Sequence, residues 1–424
     1  MTDLARARRD VPAPEAPQSL PRRDVQASIG TDVLISLLTG GDDRSYALGL
    51  TESLTLKGVR VEFIGSDNLD APELRLNSRV RFLNLRGDQT ESVSLSRKIQ
   101  RLGLYYLRLV RYAAAARPRI FHILWNNKFE FFDRTLLMLY YRMCGRRVLL
   151  TAHNVNAAAR DGRDSVANRF SLRMQYRLCD HIFVHTERME ADLRRDFGVA
   201  ADKISVIPFG INNTAPNTAL TRSEARARLG VAESAKVPLF FGQIAPYKGL
   251  EYLAAAVPEL VQSHPDFTLL VAGKPKKGHE DYWHGVQRQL APFIAKERVL
   301  TRIEHIPDSD IEVYFKAADV LVIPYTHIFQ SGVPFLAYSF GLPVVVTDVG
   351  ALKDDVIEGE TGFVCEPRNP VSLAKVLKQF FGSELYKNAE HNRVRIAQIA
   401  NERHSWQKVA AITRAAYERV LGSG

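Results

Sequence analysis

LFFGQIAPYKGL, at residues 239–250, reads as a strand, a loop and the start of a helix. A short apolar run over 237–241 ends at Gly242, an irregular segment with Pro246 follows, and Lys248 and Gly249 precede an amphipathic repeat at Leu250, Leu253 and Val257. A loop at the carboxyl end of a strand, facing the positive end of a helix dipole and carrying one lysine, is a seat for a phosphate. The same composition also describes an ordinary strand-to-helix turn, and the surrounding chain decides between the two.

Outward from this stretch the alternation repeats. Strands at 268–272, 320–323 and 344–346 alternate with helices near 250–263, 284–295, 311–317 and 371–381. On the other side, the run VLISLLTGG from residue 33 predicts a buried strand ending at Gly40 and Gly41, then a helix over 46–56 and a strand over 59–64. Further strands are predicted at 119–124, 147–151, 181–184 and 203–208, with a helix around 135–143. Gly40 and Gly41 let a ligand approach the backbone, but the pattern is not GxGxxG and lends a nicotinamide cofactor no support. Residues 214–236 are polar, with one short helix over 223–229, and a last helix over 405–421 is placed to cross back.

Two such halves imply an α/β protein of two facing, Rossmann-like, doubly wound domains, with a cleft at the carboxyl ends of both sheets. A chain of 424 residues is too long for one ordinary core, and 46% hydrophobic with 25% charged residues suffices for two. The expected boundaries are a disordered arm over 1–28, a first domain over 29–215, a second over 216–404, and a crossing helix over 405–424. The arm carries Arg and Pro without the apolar centre of a secretory signal. No stretch approaches the roughly 20 uninterrupted apolar residues of a membrane span, so a soluble or surface-bound cytoplasmic protein is expected. Cys144, Cys179 and Cys365 lie far apart without metal-ligand spacing and read as buried reduced thiols. No cluster of Asp, His or Cys points to a metal.

Several motifs together carry a resemblance: TAHNV at 151–155, ISVIPFGI at 204–211, GQIAPYKG at 242–249, LLVAGKP at 269–275, and FKAADVLVIPY at 315–325. FGLPVVVTDVGALKDDVIEGETGFV at 340–364 and SWQKV at 405–409 continue it. The chain resembles the retaining glycosyltransferases of family 4, of the two-domain GT-B architecture, over most of residues 30–420. The resemblance implies a nucleotide-sugar donor across the second domain, with its diphosphate against an Arg and a Lys in the 242–249 loop. Lys248 matches the lysine. Gln243 stands in the arginine place, where a neutral amide supplies no second cation. Lys274 either compensates or is a solvated loop lysine.

The resemblance also implies two glutamates ahead of the GLPVV segment, but Ile328 and Leu336 hold those places, and no Asp or Glu occurs between Asp319 and Asp348. FQSGVPFLAYS stands there instead. Gln330, Ser331 and the backbone amides of Gly332 and Val333 are expected to open a helix toward a phosphate, with Gln330, Ser331 or Tyr338 reaching sugar hydroxyls. His153 occupies the family's histidine position, which implies a donor contact or a transition-state role; His122 and His185 read as structural. The implied chemistry is metal-independent hexosyl transfer with retention, the donor being a substrate and no cofactor being called for.

Residues 97–177 hold 17 Lys and Arg against 4 Asp and Glu, interleaved with aromatic and aliphatic runs. Two readings stand: a peripheral contact with an anionic membrane that brings a lipid-linked acceptor to the cleft, or core-facing helices with solvated Arg faces. No recognition motif for nucleic acid accompanies the charge. The expected function is sugar transfer from a nucleotide sugar to a glycan or lipid-linked acceptor, in exopolysaccharide or cell-wall polysaccharide synthesis, in the cytoplasm or, on the membrane reading, peripherally at the inner face of the cell membrane. The alternatives are an epimerase or hydrolase of the same architecture, and a non-catalytic sugar-nucleotide-binding partner of another transferase.

Overall fold

The structure is a computed structural model that describes residues 33–40, 43–90, 94–160, 164–213 and 215–422. The expected arm and Gly41 lie outside the described residues. Seven strands form a first sheet: β1 (Leu34–Leu38), β2 (Arg60–Gly65), β3 (Val80–Asn84), β4 (Ile120–Ile123), β5 (Arg147–Thr151), β6 (His181–Val184) and β7 (Ile204–Val206). Their order is β3-β2-β1-β4-β5-β6-β7. A second sheet comprises β8 (Pro238–Phe241), β9 (Leu269–Ala272), β10 (Val299–Arg302), β11 (Val320–Ile323), β12 (Val344–Thr347) and β13 (Gly362–Cys365), in the order β10-β9-β8-β11-β12-β13. Every pairing is parallel.

In each sheet the winding reverses beside its first strand, between β1 and β4 and between β8 and β11. Loops leave those paired strands toward opposite faces, so a crevice opens at their carboxyl ends. Gly40 lies at the first reversal and the 242–249 loop at the second.

Most predicted strands are buried on both faces, such as β4, β6 and β11, whose residues are all buried, while β7 is a predicted edge strand that is only partly buried. Three strands were not predicted: β3, β10 and β13. All three are sheet edges. VRFLN and VLTR are only partly buried and mix charged with apolar residues, so neither continuous apolarity nor clean alternation marks them.

The last helix, Trp406–Gly422, lays Val409, Ala410, Ala416 and Tyr417 into the core of the first sheet, beside helix Arg44–Leu56. Tyr417 meets the buried ring of His122 at Nδ1 (2.6 Å), and Thr151 Oγ1 meets Nε2 (2.8 Å). His122 thus has the structural role expected of it. Trp406 donates from Nε1 to the Ile211 carbonyl (2.8 Å). Its indole occupies space that only glycine leaves at Gly49 and Gly210, where an added Cβ would lie 2.4 Å from the ring. On the second sheet, fully buried Arg226 from helix Arg222–Leu229 grips Asp319 through both carboxylate oxygens (3.1 and 3.0 Å).

Candidate active site

Three glycines shape the crevice of the second sheet. Gly242 has φ +112° and Gly273 φ +143°, and a Cβ on Gly273 would lie 1.9 Å from the Gly242 carbonyl oxygen. Gly249, at φ +64°, presses equally close to the Pro324 carbonyl. The loops after β8, β9 and β11 therefore touch backbone to backbone. Ile244 donates to the Lys274 carbonyl and Lys276 to the Ile244 carbonyl, both at 2.9 Å. Lys248 closes the turn Pro246–Lys248 with its side chain buried. Its Nζ donates to the Tyr325 hydroxyl (2.6 Å), lies 4.6 Å from that ring's centre, and sits 3.6 Å from where a Gly242 Cβ would be. Gln243 and Lys274 are both exposed on this rim.

The loop from Tyr325 leads to Gln330, Ser331 and Gly332, where helix Val333–Ser339 begins as expected. Val333 N donates to Ser331 Oγ (3.3 Å). Gln330 is buried; its Nε2 donates to Asp355 Oδ2 (3.1 Å), while its Oε1 is buried without a partner among the described residues. Asp355, from the loop after β12, thus brings a carboxylate to a segment that has none in sequence. Burial pushes its carboxyl up to about 7, with the Gln330 hydrogen bond opposing. Nothing in residue spacing marks Asp355; only the fold of the loop over Gln330 does. Tyr338 departs from expectation. It is buried, with its hydroxyl donating to the Asp355 carbonyl (3.1 Å), so it anchors that loop and does not reach a sugar.

His153 follows β5. Its ring stacks on Trp125 (4.4 Å, 2°) and meets the edge of Tyr46 (4.7 Å). Gly40 makes room beneath: an added Cβ would lie 2.6 Å from the Trp125 carbonyl. His153 Nδ1 shares a hydrogen bond with His185 Nε2 (3.1 Å), and its Nε2 is buried without a partner among the described residues. Burial, then the neighbouring His185 and His122, hold His153 well below the usual imidazole range; burial lowers His185 to about 4. The pair is neutral at physiological pH. His185, expected to be structural, therefore also orients His153, because parallel pairing of β5 with β6 brings their ends together.

Phe209 joins the two halves. Its ring contacts His185 (4.9 Å) and Tyr46 (5.4 Å) and stacks on Phe335 (5.1 Å, 12°), while an added Cβ on Gly332 would lie 3.5 Å from it. The structure thus gathers His153 with residues 330–333 around Phe209, and Lys248 with Gly242 around Tyr325. The loop 324–332 connects the two groups. A cavity of about 550 Å³ opens beside them, with Asn156, Arg169 and Arg188 on one wall and His327 and Phe329 on the other.

The basic face is not simply core-facing. Helix Leu95–Ala115 buries Tyr105, Leu109 and Ala113 but exposes Leu95, Ile99, Leu104 and Leu107. Phe129, Phe131, Leu136, Leu139, Met143 and Phe170 are also exposed. Cys179 and Cys365 are buried free thiols as expected, whereas Cys144, capping helix Met138–Met143, is half-exposed. Among the described residues, no helix is long and apolar enough to cross a membrane.

Comparison with known proteins bears on this geometry. Residues 44–214 match the family described as Glycosyltransferase Family 4, and residues 235–382 match Glycosyl transferases group 1. A D-inositol 3-phosphate glycosyltransferase of Streptomyces scabiei is 32% identical over 209 residues, 48% of this chain and 46% of that protein. The chain spans about half the length of that relative. Among solved structures, sucrose-phosphate synthase from Thermosynechococcus elongatus aligns with TM-score 0.72 at 19% identity, covering 92% of this chain and 100% of that one. HepE from Anabaena, in complex with UDP-glucose, aligns with TM-score 0.66 at 18% identity, covering 90% and 99%. At these identities the structures establish the shared two-sheet fold.

Proposed function

This chain belongs to glycosyltransferase family 4, and on that premise we propose that it transfers a sugar from a nucleotide-sugar donor to a glycan or lipid-linked acceptor. The observation that carries the reading is Lys248, a buried cation at the winding reversal of the second sheet. It is held by Tyr325 against a glycine that lets a ligand approach. When the bond between the sugar's anomeric carbon and the diphosphate breaks, negative charge grows on the departing nucleotide, and a fixed cation there stabilises it. The backbone amides at Gln330 to Val333 assist at the diphosphate, the Gln330 and Ser331 side chains face the sugar hydroxyls, and Gly40, Gly242, Gln243 and Lys274 line the donor's approach. Neutral His153 offers its unpartnered Nε2 to the sugar. Retention, metal independence and a place in exopolysaccharide or cell-wall polysaccharide assembly belong to the same reading.

UDP-glucose, the ligand named for HepE, is the first donor to try. Lys248→Ala is expected to remove most transfer activity, more than about tenfold in kcat, while the melting temperature holds. An undiminished rate in a radiolabelled-sugar assay would sink the role. The exposed apolar and cationic face around helix Leu95–Ala115 supports a peripheral contact with anionic lipid. The partner reading, favoured by the exposed, uncharged Gln243, predicts that sugar nucleotides bind without turnover. Acceptor-dependent nucleotide release separates transfer from it, and acceptor-independent product marks an epimerase or hydrolase.

A further inference from the structure

We infer that a second cavity, between helix Leu95–Ala115 and the loop after β9, binds a phosphate or diphosphate group carried by the sugar acceptor. The cavity holds about 510 Å³, within the size range of small-molecule sites. Its charge is one-sided: Arg86, Lys98, Arg101, Lys128 and Lys277 line it, and among the described residues Asp88 is the one carboxylate that does. Arg101 is already paired with Asp88 (2.7 Å) and the charge of Arg86 acts on Asp133, which leaves Lys98, Lys128 and Lys277 without a carboxylate partner among the described residues.

Arg86 is the most informative of them. Its guanidinium lies over the Tyr105 ring (5.4 Å), and its Nη1 is buried with no hydrogen-bond partner among the described residues. A buried guanidinium N–H left unpaired carries its full desolvation cost, which an anionic acceptor atom relieves. The planar fork suits two phosphate oxygens, and the lysines add point charges around it. The rim beside these cations is apolar: Leu95 and Ile99 are 73% and 64% exposed. The site therefore suits an anion borne on a partly apolar molecule.

Lys277 gives the cavity its link to chemistry. It comes from the second half, three residues beyond Lys274. Its loop is hydrogen-bonded through Lys276 to Ile244 in the 242–249 loop (2.9 Å). One wall is thus continuous with the proposed donor loop, and an anion held between Arg86 and Lys277 brings the acceptor's body to the donor while tying the halves together. The word acceptor rests on the transfer reading; anion binding at the cavity does not.

The test titrates the full chain with glycerol 3-phosphate and, separately, with phosphatidylcholine vesicles containing phosphatidic acid. The proteins compared are wild type, Arg86→Gln, the double variant Lys98→Gln/Lys277→Gln, and Lys248→Ala as a donor-loop control. Affinity is expected to fall about tenfold or more in both cavity variants and to hold in Lys248→Ala. Tight binding of only the vesicle-borne probe assigns the anion to a lipid; comparable binding of the soluble probe assigns it to a free phosphate compound. The double variant alters only exposed lysines, so an unchanged melting temperature separates a lost site from a lost fold. Equal affinity in all four proteins overturns the inference, as does a loss confined to Lys248→Ala. Failure of every nucleotide sugar to turn over would remove the transfer reading and leave this binding result standing.

Discussion

At the scale of single residues, two positions shape the site that the sequence did not mark for it: His185, which reads as structural, and Asp355, which no motif singles out. His185 holds His153 through one ring-to-ring hydrogen bond. His185→Phe keeps the packing against Phe209 and Tyr46 but removes that bond, so kcat is expected to drop about tenfold with the donor KM little changed; steady-state kinetics decides it, and an unaltered kcat refutes the orienting role. Asp355 retains a proton in the folded chain to about pH 7, whereas the unfolded carboxyl releases it near pH 4. Between those values the native state binds more protons, so its contribution to stability falls as pH rises, by at most about 1.4 kcal/mol per unit. Asp355→Asn removes the dependence. The variant should melt higher than wild type at pH 8 and close to it at pH 4, and a constant offset across that range would contradict the assignment. Lys248 was legible because a lysine following a strand and a glycine has a recognisable local pattern. Asp355 was not, because its relation to Gln330 exists only across a folded loop.

Secondary-structure elements bring their own consequences. Helix Trp406–Gly422 is fastened by one indole seated between Gly49 and Gly210. Gly49→Ala drives a methyl into that ring and is expected to cost about 1–3 kcal/mol by overpacking, measurable as a lower urea midpoint at unchanged m-value. Helix Leu95–Ala115 has the opposite character, with an apolar stripe that no core covers. Replacing Leu104 and Leu107 together by Ser should weaken flotation with anionic vesicles by about tenfold and leave stability unchanged, since both side chains are exposed. Flotation equal to wild type would remove the lipid contact. The 97–177 sequence displayed this charge and aromatic content, yet which apolar residues face outward depends on how each helix is rotated against the sheet.

Over the whole molecule, buried histidines set the response to acid. Burial lowers His122 to about 3 and His181, His185 and His404 to about 4, and takes His153 well below its usual range. Unfolded imidazoles bind protons near pH 6.5, so stability is full above that value and is lost as pH falls toward 4. Asp355 and Asp133, raised by burial to about 7 and 6, oppose this by gaining stability over the same interval, but the histidines outnumber them. The melting temperature should therefore decline from pH 6.5 to 4, and a flat or rising profile would show these imidazoles to be solvated. The sequence by itself determined the alternation of strands and helices, the division into two halves, the strands buried on both faces, and Lys248 and His153 as candidates. Each of these is written in local periodicity, where solvent exclusion imposes a pattern on neighbouring residues. Only the tertiary structure decided the edge strands β3, β10 and β13, the His153–His185 pair, the carboxylate of Asp355 beside Gln330, and the cationic cavity closed by Lys277. These depend on segments distant in the chain meeting at strand ends, and residue spacing carries no record of such meetings.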